Sequence, residues 1–366
     1  MKKKNNGKKG ILLYLLICIA LGIFIGLFLG DEMYIVDLGT LELFVIVLLS
    51  FYVQIIIHEG GHLVFGLLSG YKFSSFRIGN TMLAKKNGKL KFARLSLAGT
   101  GGQCLMVPPE LADGKMPHVL YNLGGCLLNL ITTVICFVLC KTVYYPYLSV
   151  IFGILGLVGF IFALANGIPM NTGLINNDGR NALTLGKDKK GIKFFWTQLK
   201  VAEAQTQGTR LRDMPAEWFK VPDDEDMKNP RLAAQGVFAC ARLMDEHKFS
   251  EAEELMKRYT EMDSAIVGIH RCGLICDLVF CEIIGENRKD IIDALMNEPQ
   301  QKQHMRAMRN NLGVIRTQYI YSLLHGNDIK KTNKLKDKFE KLADDYPYEG
   351  EVAAEWELML MAENMR

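Results

Sequence analysis

Five residues of this 366-residue chain have the types and spacing of a metal-centred hydrolytic site: His58-Glu59-Gly60-Gly61-His62. On a helix, positions i and i+4 share a face, so both imidazoles can reach one ion. Glu59 lies about a third of a turn from His58, where a carboxylate can take a proton from water activated by that ion. The motif sits in a long apolar run, with Phe51-Tyr52-Val53-Gln54-Ile55-Ile56-Ile57 before it and Leu63-Val64-Phe65-Gly66-Leu67-Leu68 after it. H-E-x-x-H also arises by chance on soluble helices. Inside an apolar span that reading weakens, because buried ionisable groups are expensive and mark function. Gly60 and Gly61 are small enough to admit a second helix closely.

A catalytic zinc site takes three protein ligands and keeps one position open. The third ligand must come from elsewhere, and Asp178-Gly179 is placed to supply it. It follows the last apolar run through Asn166-Gly167-Ile168-Pro169-Met170-Asn171-Thr172-Gly173-Leu174-Ile175-Asn176-Asn177. Gly179 lets the backbone turn sharply and bring the carboxylate inward. The same residues also read as an ordinary Asn-Asp-Gly turn.

The elements that must position these residues are apolar helices. Hydropathy is split: mean hydropathy is +0.12 overall, but long apolar runs end near Gly173 and the rest is charged. Four candidate spans cover about 11–29, 41–69, 118–140 and 147–169. The basic start (Lys2, Lys3, Lys4, Lys8, Lys9) resembles a signal peptide, but its apolar stretch is too long and lacks a cleavage site, so a retained span is expected. Lysines and arginines follow the second span (Lys72, Arg77, Lys85, Lys86) and the fourth (Lys187, Lys189, Lys190), which puts both termini in the cytosol. His58 and His62 then fall roughly 10–20 Å from the cytosolic exit of their helix.

Between the second and third spans, Asn87-Gly88 separates two strand-like runs and signals a hairpin with a type I′ turn. Leu95 to Pro109 reads as a membrane-associated stretch broken by glycine and proline, tolerated only against protein or a water-filled cavity. It is therefore expected as a re-entrant lip over the site, and an edge strand there could take up substrate by strand addition.

The domain organisation expected is a membrane domain over 1–180, a linker over 181–230 and a cytosolic helical domain over 231–366. Helix pairs are read at Ala233–Met244 with Ser250–Tyr259, where Ser250 is the cap, and at Val314–His325 with Thr332–Asp344, before a last helix around Trp356. Such units resemble degenerate tetratricopeptide-type repeats and suggest a docking surface for a protein partner; a plain helical bundle fits them equally. Net charge is +4, which does not suggest nucleic acid as a partner. The nine cysteines form no disulfide framework. Cys272 and Cys276, near His270, invite a second metal site, but the stripe Leu274, Ile275, Leu278, Val279 favours buried thiols.

His58-Glu59-x-x-His62 in one span, with Asn166-x-x-Pro169 and then Asp178-Gly179 after a later one, resembles the site-2 protease family of intramembrane zinc metalloproteases. Asn122-Leu123-Gly124-Gly125-Cys126-Leu127-Leu128-Asn129 is similar to that family's glycine-rich core helix. The resemblance covers about 41–180. It implies Zn2+ held by His58, His62 and Asp178, Glu59 as general base, and Asn166 and Asn129 placing the substrate or the oxyanion. It implies a transmembrane protein or peptide as substrate and a bacterial plasma membrane as location. Eight residues separate Pro169 from Asp178, more than the family's usual spacing, and no PDZ-like insertion is present. The expected fold is thus an all-α polytopic membrane protein with about four transmembrane helices, a small β-hairpin or re-entrant insertion and a soluble tetratricopeptide-like tail. Two rival readings are a scaffold or immunity-type binding protein with a vestigial site, and a metalloprotease acting on soluble or lipid-modified termini. A transporter would show an inverted repeat, and none is visible.

Overall fold

The computed structural model describes residues 36–97, 99–170, 176–326 and 328–365. These hold thirteen α-helices and one four-stranded antiparallel sheet. Three helices are long and apolar enough to cross a membrane: α1 (Thr40–Leu68), α2 (Val119–Thr142) and α3 (Pro146–Gly167). They match three of the expected spans; the one expected at 11–29 lies outside the described residues.

The helix ends follow from local chemistry. The Glu42 carboxylate accepts the Gly39 N–H at 3.2 Å ahead of α1. Gly70 takes φ +84° beyond its C-terminus, and Tyr71 N–H reaches back to the Gly66 carbonyl at 3.0 Å, a Schellman closure that only glycine adopts readily. Pro146 starts α3 where its missing N–H costs nothing, and Pro169 pushes Ile168 out of helical geometry (φ −71°, ψ 121°).

The described residues divide into two compact units: those up to Gly61 with Leu123–Ile168, and His62–Asn122 with those from Pro169 on. Both cuts near the motif fall inside continuous helices, α1 and α2. In the first unit, Val150, Ile154 and Val158 of α3 pack with Leu43, Ile46 and Val47 of α1. Small residues bring polar groups into contact here. A Cβ at Gly159 would stand 2.6 Å from Gln54 Nε2 and 2.7 Å from Thr133 Oγ1. The outer faces carry exposed Leu41, Phe44 and Leu48 on α1 and Ile131, Val134 and Val138 on α2, apolar surface suited to lipid.

In the second unit, β1 (Lys72–Ile78), β2 (Thr81–Lys86), β3 (Lys89–Arg94) and β4 (Gly102–Val107) form a sheet of order β3-β2-β1-β4. The Asn87-Gly88 turn has φ of 49° and 77°, with Lys86 opposite Lys89, as a type I′ hairpin requires. The expected re-entrant lip is corrected: its second half is the outer strand β4, paired antiparallel to β1 with Cys104 and Met106 buried. Ladder hydrogen bonds to β1 satisfy that backbone, so no membrane-deep irregular loop is needed there.

Residues 181–230, expected as a linker, are structured. They continue α4 (Asp178–Thr184) and hold α5 (Lys189–Thr206), which Asp188 caps by accepting Gly191 N–H at 2.8 Å. Ile192, Phe195 and Leu199 recur at helical spacing, and the last two pack among Tyr71, Cys104, Met106 and Tyr121. Gln207 beyond α5 grips the hairpin turn, accepting Asn87 N–H and donating to the Lys85 carbonyl, each at 2.9 Å.

The tail runs α6 (Pro230–Asp245), α7 (Phe249–Glu261), α8 (Gly268–Ile284), α9 (Lys289–Asn297), α10 (Pro299–Ala307), α11 (Leu312–Leu324), α12 (Ile329–Ala343) and α13 (Glu349–Glu363). Ser250, expected as a cap, sits inside α7, whose N-cap is Lys248 without a side-chain bond. The core holds Tyr259, Phe280, Ile315, Phe339 and Met359. Cys272 and Cys276 are buried thiols packed with Met305 and Val314. The sheet and tail share a core in which Tyr348 packs on Met82, Ala84 and Leu95, beside a Lys86–Glu349 ion pair.

A cavity of about 340 Å³ is bordered by Val201 of α5, by Arg210 beyond it, and by Phe238, His247, Asp277, Glu351 and Glu355 of the tail. Behind it lies Arg316, 1% exposed, paired to Asp277 and to Glu355 and stacked over the Phe280 ring at 5.4 Å. Burial pushes the Asp277 carboxyl up to about 6, and burial with the Glu355 charge pushes Glu351 up to about 7. Arg316→Met strands two buried carboxylates, so it should destabilise the tail by about 3–5 kcal/mol, read as a lowered midpoint in chemical unfolding. Glu351, with a folded pKa above its unfolded one, adds stability that is present at low pH and lost as pH rises through about 7. Glu351→Gln keeps an acceptor for the Tyr346 hydroxyl but removes this loss. The Tm of the variant relative to wild type should therefore climb from about pH 5 to about pH 8.

Candidate metal centre

His58 and His62 lie on one face of α1, one turn apart, as the motif spacing dictates. His58 is 7% exposed and Glu59 9% exposed, which is deep burial for ionisable groups in an apolar helix. The neighbouring helix is admitted by glycine. A Cβ at Gly61 would stand 2.2 Å from the Gly124 carbonyl oxygen, so α1 and α2 meet backbone to backbone there. A Cβ at Gly125 would stand 2.5 Å from His58 Cε1, so the imidazole occupies the space that any larger residue would take. Gly60, also expected to admit a helix, is less tight, with its nearest atom a Leu128 methyl at 3.9 Å.

Each imidazole is oriented by a second group. His62 Nδ1 lies 2.7 Å from the Tyr121 carbonyl oxygen. A carbonyl only accepts, so Nδ1 carries the proton and the lone pair is on Nε2. That Nε2 stands 3.5 Å from Asp178 Oδ2. His58 Nδ1 lies 2.7 Å from Asn129 Oδ1. His58, His62 and Asp178 each offer a ligand atom within 4.8 Å of the others, a group that could hold a metal ion. Imidazole and carboxylate are ligand types that such an ion takes, and both histidines have the outer partner that metal-bound imidazoles commonly show.

Asp178 reaches its position through local capping. It is the first residue of α4, where a carboxylate favours the helix N-terminus. Asn177 Oδ1 accepts Arg180 N–H at 3.1 Å as the cap and Met170 N–H at 3.0 Å from across the loop. Arg231 of α6 holds α4, donating to Asn181 Oδ1 at 2.8 Å and to Thr184 Oγ1 at 3.1 Å.

The two asparagines expected beside the site are placed differently. Asn129 is fully buried and bonded to His58, with Nδ2 donating to Gln54 Oε1 at 2.7 Å and to the Gln54 carbonyl at 3.2 Å. Asn166, in the last turn of α3, donates to the Phe162 carbonyl at 3.1 Å; the Phe162 ring is 6.3 Å from His58. Sequence reasoning passed over Gln54 and Tyr121. Gln54 carried a signal, since it is a polar residue exactly one turn before His58 on the same face of an apolar helix. Tyr121 acts through its backbone carbonyl, which residue type does not reveal.

No family model, curated protein or solved structure matches the chain.

The glycine contacts set a test. Gly125→Ala should displace the His58 ring and lose most of any metal the site holds, while Gly60→Ala keeps it, with metal per chain measured on detergent-purified protein. Equal metal content in the two variants would mean that the close approach at Gly125 does not shape the site.

Proposed function

We propose that the chain is an intramembrane zinc metalloprotease of site-2 protease type, hydrolysing a peptide bond in or near a transmembrane segment of a membrane protein or peptide. The observation that carries the reading is the group of His58, His62 and Asp178, which could hold a metal ion, with both imidazoles in a helix apolar enough to cross a membrane.

A zinc ion bound there would supply Lewis acidity to the scissile carbonyl and to water. Glu59, one residue from His58, takes a proton from the attacking water and passes it to the leaving amine as the C–N bond breaks. Asn166 and Asn129 are the amides closest in the resemblance to substrate- or oxyanion-placing groups. In this chain, the hydrogen bonds of Asn129 assign it first to His58.

A helical substrate hides its carbonyls in i→i−4 bonds and must unwind before hydrolysis. Strand β4, at the edge of the sheet, offers a place for the unwound segment to pair. Its Cys104 carbonyl accepts the Tyr121 hydroxyl at 2.9 Å, and the Tyr121 carbonyl in turn accepts His62 Nδ1–H. The pairing edge is therefore linked to a metal ligand through one residue. The four-span topology with both termini cytosolic, the bacterial plasma membrane and the tetratricopeptide-like docking role of the tail belong to this same reading. The second reading, a scaffold acting through the tail, is favoured by the acidic cavity there.

Glu59→Gln should retain about one zinc per chain and reduce cleavage of a transmembrane substrate by at least about 10²-fold. Undiminished cleavage by that variant would sink the mechanism. Wild-type protein that stays metal-free after zinc-replete preparation would favour the scaffold.

A further inference from the structure

Gln54 is fully buried within α1 and takes no part in metal ligation or proton transfer. Its amide is part of a chain of hydrogen bonds. Gln54 Nε2 donates to the Leu155 carbonyl of α3 at 2.9 Å. Gln54 Oε1 accepts from Asn129 Nδ2 at 2.7 Å, and Asn129 Oδ1 meets His58 Nδ1 at 2.7 Å.

The direction of this chain is not arbitrary. The Leu155 carbonyl has lone pairs and no proton, so the nitrogen end of Gln54 must face it. That turns Oε1 toward Asn129, which must answer with Nδ2; the Gln54 backbone carbonyl, also acceptor-only, draws the same group at 3.2 Å. Asn129 then presents Oδ1 to the imidazole, and His58 must donate from Nδ1. Reversing any one amide would set acceptor against acceptor and donor against donor where no water can repair the mismatch. Glycine makes the arrangement fit, since a Cβ at Gly159 would press on Gln54 Nε2.

We propose that Gln54 is a positioning residue that fixes the Nδ1-protonated tautomer of His58 through Asn129, with the Leu155 carbonyl setting the polarity of the relay. The role rests on the metal-site reading: with Nδ1 held by Asn129, only this tautomer leaves an Nε2 lone pair to offer an ion. The relay holds that lone pair in place before any ion arrives, without a charged group inside the span.

The test compares full-length wild type, Gln54→Met, Gln54→Glu and Thr133→Val in detergent. Gln54→Met keeps the shape and loses both bonds. A protonated Gln54→Glu restores them, its carbonyl accepting from Asn129 and its hydroxyl donating to Leu155. Thr133→Val removes a neighbouring buried hydroxyl, bonded to the Asn129 and Gly156 carbonyls, that lies outside the relay. Zinc affinity, read by chelator competition, should fall roughly tenfold in Gln54→Met and stay within about twofold of wild type in the other two. Nitrogen-15 shifts of labelled histidine in the metal-free protein should show Nδ1-protonated His58 in wild type and a tautomer mixture in Gln54→Met. An unchanged affinity in Gln54→Met, an equal fall in Thr133→Val, or Nε2-protonated His58 in metal-free wild type would each overturn the assignment. Wild type with the expected tautomer but no zinc affinity would instead overturn the metalloprotease reading and leave the relay standing.

Discussion

The site depends on satisfying every polar group that α1 carries into apolar surroundings. In an apolar span, an unpaired donor or acceptor costs several kcal/mol, and water is not there to share the load. The helix nonetheless holds Gln54, His58 and Glu59 at low exposure. The amides and imidazoles are paired side by side: Gln54 to Leu155 and Asn129, Asn129 to His58, and His62 to the Tyr121 carbonyl. These bonds need α2 and α3 close to α1, and closeness needs glycine at 61, 125 and 159. Packing and chemistry are here one requirement. The residues that let the helices touch are the ones that let the imidazoles find partners.

The spacing after Pro169 illustrates how a local device can absorb a departure from a motif. Eight residues separate Pro169 from Asp178, and a longer loop would by itself give the carboxylate more freedom. Asn177 Oδ1 accepts from both Met170 N–H and Arg180 N–H, which holds the residue after Pro169 against the start of α4. Arg231 anchors α4 from the tail. The tail thus holds the helix that begins with Asp178.

Much of this was legible in the sequence because it depends on residue type and period. The three described spans, the Asn87-Gly88 hairpin and the pairing of α6 with α7 and α11 with α12 follow from apolar runs, turn residues and helical spacing. His58, His62 and Asp178 were named from motif and chemistry, and they do come together. What escaped has a common cause. Strand β4 was taken for a broken membrane segment because Gly99, Gly101 and Gly102 hide a six-residue alternation, and the pairing that defines it is with β1, about thirty residues away. The helix α5 reads as linker in the sequence because its buried Ile192, Phe194, Leu199 and Val201 are interleaved with lysines and other polar residues. The roles of Tyr121 and Leu155 lie in backbone carbonyls, which every residue has, so only the fold can reveal them.

The chain buries polarity in two opposite ways, and the contrast follows from surroundings. In α1 to α3 the groups that orient His58 are neutral amides and hydroxyls, whose bonds cost little desolvation and carry direction, with Glu59 the buried carboxylate beside it. In the tail they are charges: Arg316 stands between Asp277 and Glu355, and Arg210 pairs with Asp245 and Glu357. An ion pair there keeps contact with a solvent-sized cavity and can relax when pH changes, as the raised Asp277 and Glu351 carboxyls indicate. The same pair in a bilayer would meet a far larger desolvation penalty with nothing to offset it. A metal ligand needs a fixed lone pair more than it needs a nearby charge, and neutral amides supply that orientation without adding a second charge beside the ion. The division of buried polarity between the two parts of the chain is therefore what a membrane-embedded cation site and a water-facing helical tail would each require.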